Sequence, residues 1–260
     1  MGYFMKKYLK NIILIFILVL ISACSASSEQ TKNKTPREER TYQERYEDGI
    51  VAFESKKYYR AIEDFTYVVF NAPGSDIADN AQFYLASSHF EMKEYLLAIE
   101  EYQQLLRRWP RSDLYEDARF KIAECYYLQS PGYQRDPEYI LQAIRAYQNF
   151  IEEYPFSNYR EGAENRIREM RNGLAKKIYE AGKQYMILRE WKAAVITFQE
   201  ILDSYYDTEV LNDTYFQIAV SYSNLSDPEN MIRALDKVNP EELSKRNRRR
   251  YEKLLTSLTE

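Results

Sequence analysis

The sequence of 260 residues contains one histidine and two cysteines, so nucleophilic, general-base or metal chemistry has few places to reside. His89 has no second histidine with which to form a ligand pair. No glycine-rich phosphate loop, nucleophile elbow or metal-spaced His/Cys cluster occurs. Acid pairs such as Glu152 and Glu153 are adjacent. On a helix they point about 100° apart and do not converge on one substrate. They read as solvated charge. The sequence therefore offers no catalytic residues, no metal site and no cofactor site, and the expectation is a protein that is not an enzyme.

Cys24 is the residue whose surroundings carry chemistry. Lys6, Lys7 and Lys10 precede the apolar run Ile12 to Ile21, the charge-then-core order of a secretory signal and too short to span a bilayer. Ile21, Ser22 and Ala23 lead directly into Cys24. This arrangement resembles the bacterial lipobox, where a peptidase cleaves ahead of a cysteine already carrying a thioether-linked lipid. Residues 1–23 then form a lipoprotein signal peptide, and Cys24 becomes the acylated (palmitate-bearing) first residue. Residues 24–40, polar after Ala26 and without aromatics, form a flexible tether. An ordinary secretory signal with an incidental cysteine is the competing reading, and Met5 offers a second start. Ser25, where an aspartate would favour inner-membrane retention, points to the outer membrane and its periplasmic face. Cys125 is then left without an intrachain partner, so the fold must rely on packing.

The elements that position these residues follow from composition and spacing. Seven glycines, eight prolines, 25 tyrosines and 12 phenylalanines suit long helices joined by short turns, and a net charge of −4 argues against nucleic acid as a ligand. The triples Ala61, Phe65, Pro73, then Ala98, Tyr102, Pro110, then Ala143, Tyr147, Pro155 share one internal spacing. A fourth copy has Ala194 and Phe198 but Tyr206 in place of proline. Ser130 to Pro137 accounts for the longer interval before Ala143 as a loop-like insertion. Twelve residues ahead of these alanines stand Gly49, Ala86 and Gly182, with Ala123 taking that place in the third copy once the insertion is removed.

Small residues where two antiparallel helices cross, followed by a helix-ending proline, form the grammar of the tetratricopeptide repeat. The fold class is therefore all-α: a tetratricopeptide-repeat superhelix of about five helix pairs, with an unrelated helical bundle as the alternative. A fifth unit includes Ala219 and Tyr222, a degenerate second helix around Met231 to Val238, and a terminal helix from Glu241 that caps the stack. Between Ala143 and Ala194 the apolar residues Ala163, Ile167, Met170, Leu174 and Ile178 recur at three and four residues, so one long helix joins the halves. The division is 41–155 for the N-terminal repeats and 156–260 for the linking helix and C-terminal repeats. In this frame His89 and Cys125 are packing residues.

Three residues before each small crossing residue stands an aromatic: Tyr46, Phe83, Phe120, Tyr179 and Phe216. Together with Phe53, Phe90 and Tyr127, seven residues further along the first three copies, this row turns toward the concave face in tetratricopeptide stacks. Tyr46, Phe53, Phe83, Phe90, Phe120 and Tyr127 are the candidates for gripping apolar side chains of an unfolded partner. The alternative is that they only pack helix against helix. Arg189, in the turn before Trp191, and the run Lys245, Arg246, Arg248, Arg249, Arg250 are the candidates for docking an acidic partner or lipid headgroups.

The stretch EYPFSNYREGAENRIREMRNGLAKKIYEAGKQYMILREWKAAV, Glu153 to Val195, taken with the lipobox, resembles the BamD family of outer-membrane assembly lipoproteins. Tyr154-Pro155, Ser157, Tyr159, Ala163, Arg166, Arg171, Leu174-Ala175 and Trp191 through Ala194 carry the likeness. The resemblance implies a non-enzymatic subunit of the β-barrel assembly machinery. Its implied partners are unfolded outer-membrane proteins at the N-terminal repeats and a BamA-like barrel-forming subunit at the C-terminal ones, with the membrane reached through the lipid. Two rivals are a different periplasmic tetratricopeptide adaptor, such as a Tol-Pal coordinator, and a wall-processing enzyme on a helical scaffold. The adaptor, for envelope or cell-division coordination, would share the repeats but usually lack the lipidated cysteine and the Glu153 to Val195 match, and the enzyme needs a catalytic domain for which no stretch is left over.

Overall fold

A computed structural model describes residues 39–129 and 137–258. Cys24, the signal segment, the tether up to residue 38 and residues 130–136 of the insertion lie outside the described residues. Among the described residues there are eleven α-helices and no strand: α1 Tyr42–Glu54, α2 Tyr58–Asn71, α3 Ala78–Glu91, α4 Tyr95–Arg108, α5 Tyr115–Gln129, α6 Pro137–Glu153, α7 Arg160–Ile187, α8 Trp191–Ser204, α9 Leu211–Asn224, α10 Pro228–Leu235 and α11 Lys245–Thr256. They form an all-α tetratricopeptide stack of five pairs, α1/α2 through α9/α10, followed by α11.

Each helix owes its ends to short-range chemistry. Thr41 and Glu44 close a capping box at the start of α1, each satisfying a backbone N–H of the other. Four of the turns inside pairs close on a residue in the left-handed region: Lys56 (φ 58°), Lys93 (φ 62°), Arg189 (φ 61°) and Ser226 (φ 56°). The amide of the next residue reaches back to a carbonyl of the preceding helix, as in Lys57 N–H to Ala52 O (2.8 Å) and Glu190 N–H to Tyr185 O (2.9 Å). Turns between pairs share another pattern. The amides of Ser75, Ser112, Ser157 and Thr208 donate to the carbonyls of Ala72, Trp109, Tyr154 and Tyr205 at 3.0 to 3.2 Å.

Packing within pairs follows the small-residue rule. The rings of Phe65, Tyr102, Tyr147 and Phe198 are fully buried, as are Ala86 and Ala123 beside the middle two. A Cβ on Gly49 would lie 2.7 Å from the Phe65 ring, and one on Gly182 would overlap the Phe198 ring, so both crossings require glycine. The long helix α7, 28 residues, serves two cores. Its Ala163, Met170 and Leu174 join Tyr147 and Phe150 of the third pair, while Ile178, Tyr179 and Met186 pack with Phe198 of the fourth.

The C-terminus departs from expectation. The second helix of the fifth pair begins earlier, at Pro228, because the Asp227 side chain accepts from the Asn230 amide and caps it. The terminal helix begins later than Glu241, because Pro240–Glu242 forms a 3-10 turn and Ser244 caps a new start at Lys245. Helix α11 does not extend the stack beyond α10. It lies across α9, where Tyr251 and Leu254 join Val238 and Leu243 around Phe216 and Val220.

Candidate functional site

The first helices of the pairs line one face of the stack, and the aromatic row lies along it. Four row members each lie against the buried ring of their own second helix. Tyr46 meets Phe65 at 5.9 Å, Phe83 meets Tyr102 at 5.4 Å, Phe120 meets Tyr147 at 5.8 Å and Tyr179 meets Phe198 at 5.7 Å between ring centroids. The interplanar angles of 46° to 62° are tilted or edge-on, the arrangement favoured by ring quadrupoles. Phe53 sits between Tyr58 and Tyr84, and Phe90 meets Tyr95 edge-on with the Lys121 ammonium 4.6 Å above its ring. All six candidates are half-buried, so they pack helix to helix and also keep some surface in solvent.

The next pair contributes cover along the row, with Tyr84 of α3 against Phe53 and Lys121 of α5 over Phe90. In the first two pairs, the described aromatic neighbours of Tyr46, Phe53, Phe83 and Phe90 come from α1 to α4. In the third pair Phe120 is stacked on Tyr159 at 4.5 Å and 15°. Tyr127 carries the Arg166 guanidinium 4.3 Å above its ring and donates its O–H to Glu169 at 2.9 Å. Helix α7 and the residue before it thus roof these two. Tyr159 in turn donates to Asp117 at 2.7 Å, and that carboxylate pushes the phenol up to about 12. Phe216, the fifth member, is fully buried beneath the terminal segment and is core. Spacing alone gave no sign of this.

The basic candidates also divide. Arg248 is a structural tie: Nε donates to Pro240 O at 2.8 Å and an Nη donates to Glu241 O at 2.7 Å, closing the 3-10 turn onto α11. Arg250 holds its guanidinium 5.7 Å from the Phe216 ring centroid. Lys245, Arg246 and Arg249 are exposed. Arg189 is exposed at its left-handed turn, next to two apolar side chains in water, Ile187 (71 % exposed) and Leu188 (67 %). An apolar knob with a cation at its tip was not legible from the charge pattern alone.

The residues with chemical potential are structural. His89 Nδ1 lies 2.7 Å from Glu94 Oε2, tying the end of α3 to the start of α4. Burial pushes the Cys125 thiol up to about 12, so it is protonated and inert at neutral pH. Among the described residues no group of three or more His, Cys, Asp or Glu side chains is placed to hold a metal ion. Among the same residues no helix is long and apolar enough to cross a membrane.

Known proteins resemble this chain in part. The outer membrane protein assembly factor BamD of Rickettsia prowazekii is 22 % identical over 180 residues, covering 69 % of this chain and 72 % of that protein. The factor of the same name from Vibrio cholerae is 33 % identical over 75 residues, 29 % of this chain and 31 % of its own. Among solved structures, the TPR2AB domain of yeast Sti1 in complex with pHSP90 covers 75 % of each chain at 17 % identity and a TM-score of 0.42. A tetratricopeptide protein of Thermus thermophilus covers 83 % of this chain and 100 % of its own, at 18 % identity and a TM-score of 0.36. A family model described as outer membrane lipoprotein, YfiO, matches residues 38–237, nearly the whole helical stack, and the chain belongs to that family.

Proposed function

We propose that this chain is a non-enzymatic lipoprotein subunit of the β-barrel assembly machinery, held at the periplasmic face of the outer membrane through lipid on Cys24. The observation that carries the reading is the family match over residues 38–237, supported by two curated relatives named as outer membrane protein assembly factors. The half-buried aromatic row, led by Tyr46, Phe53, Phe83 and Phe90, receives apolar and aromatic side chains of unfolded barrel precursors. Phe120 and Tyr127 shape the end of that track beneath α7. The C-terminal half docks the barrel-forming, BamA-like subunit through Arg189 with Ile187 and Leu188, while Lys245, Arg246 and Arg249 complement acidic surface.

Arg189 supplies the test. Its left-handed backbone costs a non-glycine residue roughly 1 kcal/mol, so Arg189→Gly should melt at the same temperature or slightly higher. If the turn docks the barrel-forming subunit, that same variant should lose capture of the subunit's periplasmic domains from solubilised envelope. Unchanged capture by both Arg189→Gly and Ile187→Ser/Leu188→Ser would sink the assignment. For the anchor, Cys24→Ala should leave the protein in the soluble periplasm or uncleaved, and retention in washed membranes as a cleaved chain would overturn it.

A further inference from the structure

The edge of the stack formed by the turns inside the first two pairs, together with the first turn of α6 in the third, carries a second repeating feature. Two residues before the buried alanine of each second helix stand Tyr59, Leu96 and Leu141, which are 75 %, 55 % and 39 % exposed. Leu97 beside them is 52 % exposed. In the fourth and fifth pairs the same position holds Lys192 and Glu229, both exposed. At this position an apolar residue is thus set out in water in each of the first three pairs and a charged one in the last two.

Cations stand at the tips of the same edge. Lys56 and Lys93 occupy equivalent left-handed turn positions, Lys57 follows the first, and all three are exposed. A shallow depression of about 440 Å³ lined by Lys56, Lys57, Tyr58, Tyr59, Arg60 and Met92 joins the first turn to the second. Of the nearby acids, Glu94 is engaged 2.7 Å from the His89 ring, while Glu54 and Glu91 stay exposed beside the lysines. Ammonium heads on apolar stems beside exposed aromatic and aliphatic side chains are the composition of a segment lying at a membrane interface.

We propose that this edge rests on an anionic phospholipid surface, with Tyr59, Leu96 and Leu141 entering the headgroup layer and Lys56, Lys57 and Lys93 pairing with phosphates. A row repeated along the stack suits a planar partner, whereas the Ile187–Arg189 knob is a single point suited to a pocket in a folded protein. The proposal goes beyond the assembly reading. If Cys24 is lipidated, the 17 residues from Cys24 to Arg40 are enough chain to span at most about 55 Å, more than the roughly 20 Å length of α1, so the edge is within reach of the surface that holds the anchor. The row itself does not depend on that lipid.

The test uses the chain from Ser25 onward, which keeps every described helix and carries neither signal nor lipid. It should co-sediment with phosphatidylglycerol-containing vesicles, more weakly with pure phosphatidylcholine, and less as salt rises. Tyr59→Ser/Leu96→Ser/Leu141→Ser should reduce vesicle binding about tenfold or more, with helix content by circular dichroism unchanged because all three side chains are exposed. Lys56→Glu/Lys93→Glu should remove the preference for anionic vesicles, while Ile187→Ser/Leu188→Ser should bind as the parent does. Absence of parent binding to anionic vesicles overturns the proposal, as does equal binding by the folded triple variant. Loss of a co-purifying protein by the triple variant without any vesicle binding assigns the row to a protein interface and also overturns it. Vesicle binding and partner capture are read separately, so failure of one leaves the other standing.

Discussion

Phe83 in the second pair and Phe216 in the fifth hold the same place in the repeat, three residues ahead of Ala86 and Ala219, yet they live in different solvents. Phe83 is half-buried and lies 5.4 Å from the ring of Tyr102. Phe216 is fully buried because residues 238–254 fold back and supply Val238, Leu243, Tyr251 and Leu254. One repeat position is therefore half-exposed or core according to whether the chain brings its own cover. In the fifth pair that cover is an apolar segment with spaced aliphatic and aromatic anchors and an arginine over the ring.

The largest effect that tests this comparison is ring truncation. Phe216→Ala should cost about 3 to 5 kcal/mol in urea unfolding, as for other buried phenylalanines. Phe83→Ala should cost about half as much, since part of its ring is already in water. In binding the order reverses, with Phe83→Ala weakening capture of an unfolded barrel segment and Phe216→Ala leaving it intact wherever the variant stays folded. Equal unfolding costs at the two positions would remove the distinction between half-exposed ring and core.

A smaller effect comes from the glycines. Gly182→Ala would drive a methyl into the buried Phe198 ring, and Gly49→Ala would place one 2.7 Å from Phe65. Overpacking of about 1 to 3 kcal/mol outweighs the roughly 1 kcal/mol helix-propensity gain, so both variants should be less stable than the parent. Gly162, also within α7, has nothing within 4 Å of a built Cβ, so Gly162→Ala should instead gain up to about 1 kcal/mol. Thermal melts of the three variants read the sign directly. A gain at Gly182 would mean that α7 and α8 can separate without loss.

How much of this was legible depended on range. The Ala, aromatic and Pro triples are local, and they placed the second helices of the first three pairs. The small residues twelve positions ahead placed the first helices, because the crossing of one pair is set within about forty residues. Tyr159 over Phe120 and the terminal segment over Phe216 are contacts across pairs, and spacing carries no record of which aromatic will be covered. The left-handed turns were missed for a different reason. Three of the four fall on lysine or arginine, where glycine would have announced them. The serine or threonine two residues beyond each proline position was present as a signal and was not used: Ser75, Ser112, Ser157 and Thr208.

The last difference between the halves is in how successive pairs are joined, and it sets the smallest predicted effect. The first three junctions use Pro73, Pro110 and Pro155; the fourth has Tyr206, 67 % exposed, with Asp207 after it. There Arg171 from α7 reaches across, with Nε 3.0 Å from both Asp207 carboxylate oxygens and an Nη donating to Ser204 O at 2.8 Å. A charge clamp thus stands where the other junctions have a proline. The Arg171 hydrogen bonds hold the Asp207 carboxyl below its ordinary value of 3.8. A depressed folded-state value means that the clamp's contribution is fully present above about pH 4 and is lost as pH falls through the folded-state value. The carboxylate is about half exposed, so the contribution is modest, about 0.5 to 1 kcal/mol. Asp207→Asn should therefore destabilise the parent near pH 7 by that amount, and the gap should close toward pH 2. Adding Tyr206→Pro to Asp207→Asn should recover about 0.5 kcal/mol by restricting the unfolded chain. A gap that stays constant down to pH 2 would show that the junction is held by the Ser204 carbonyl and packing rather than by the ion pair.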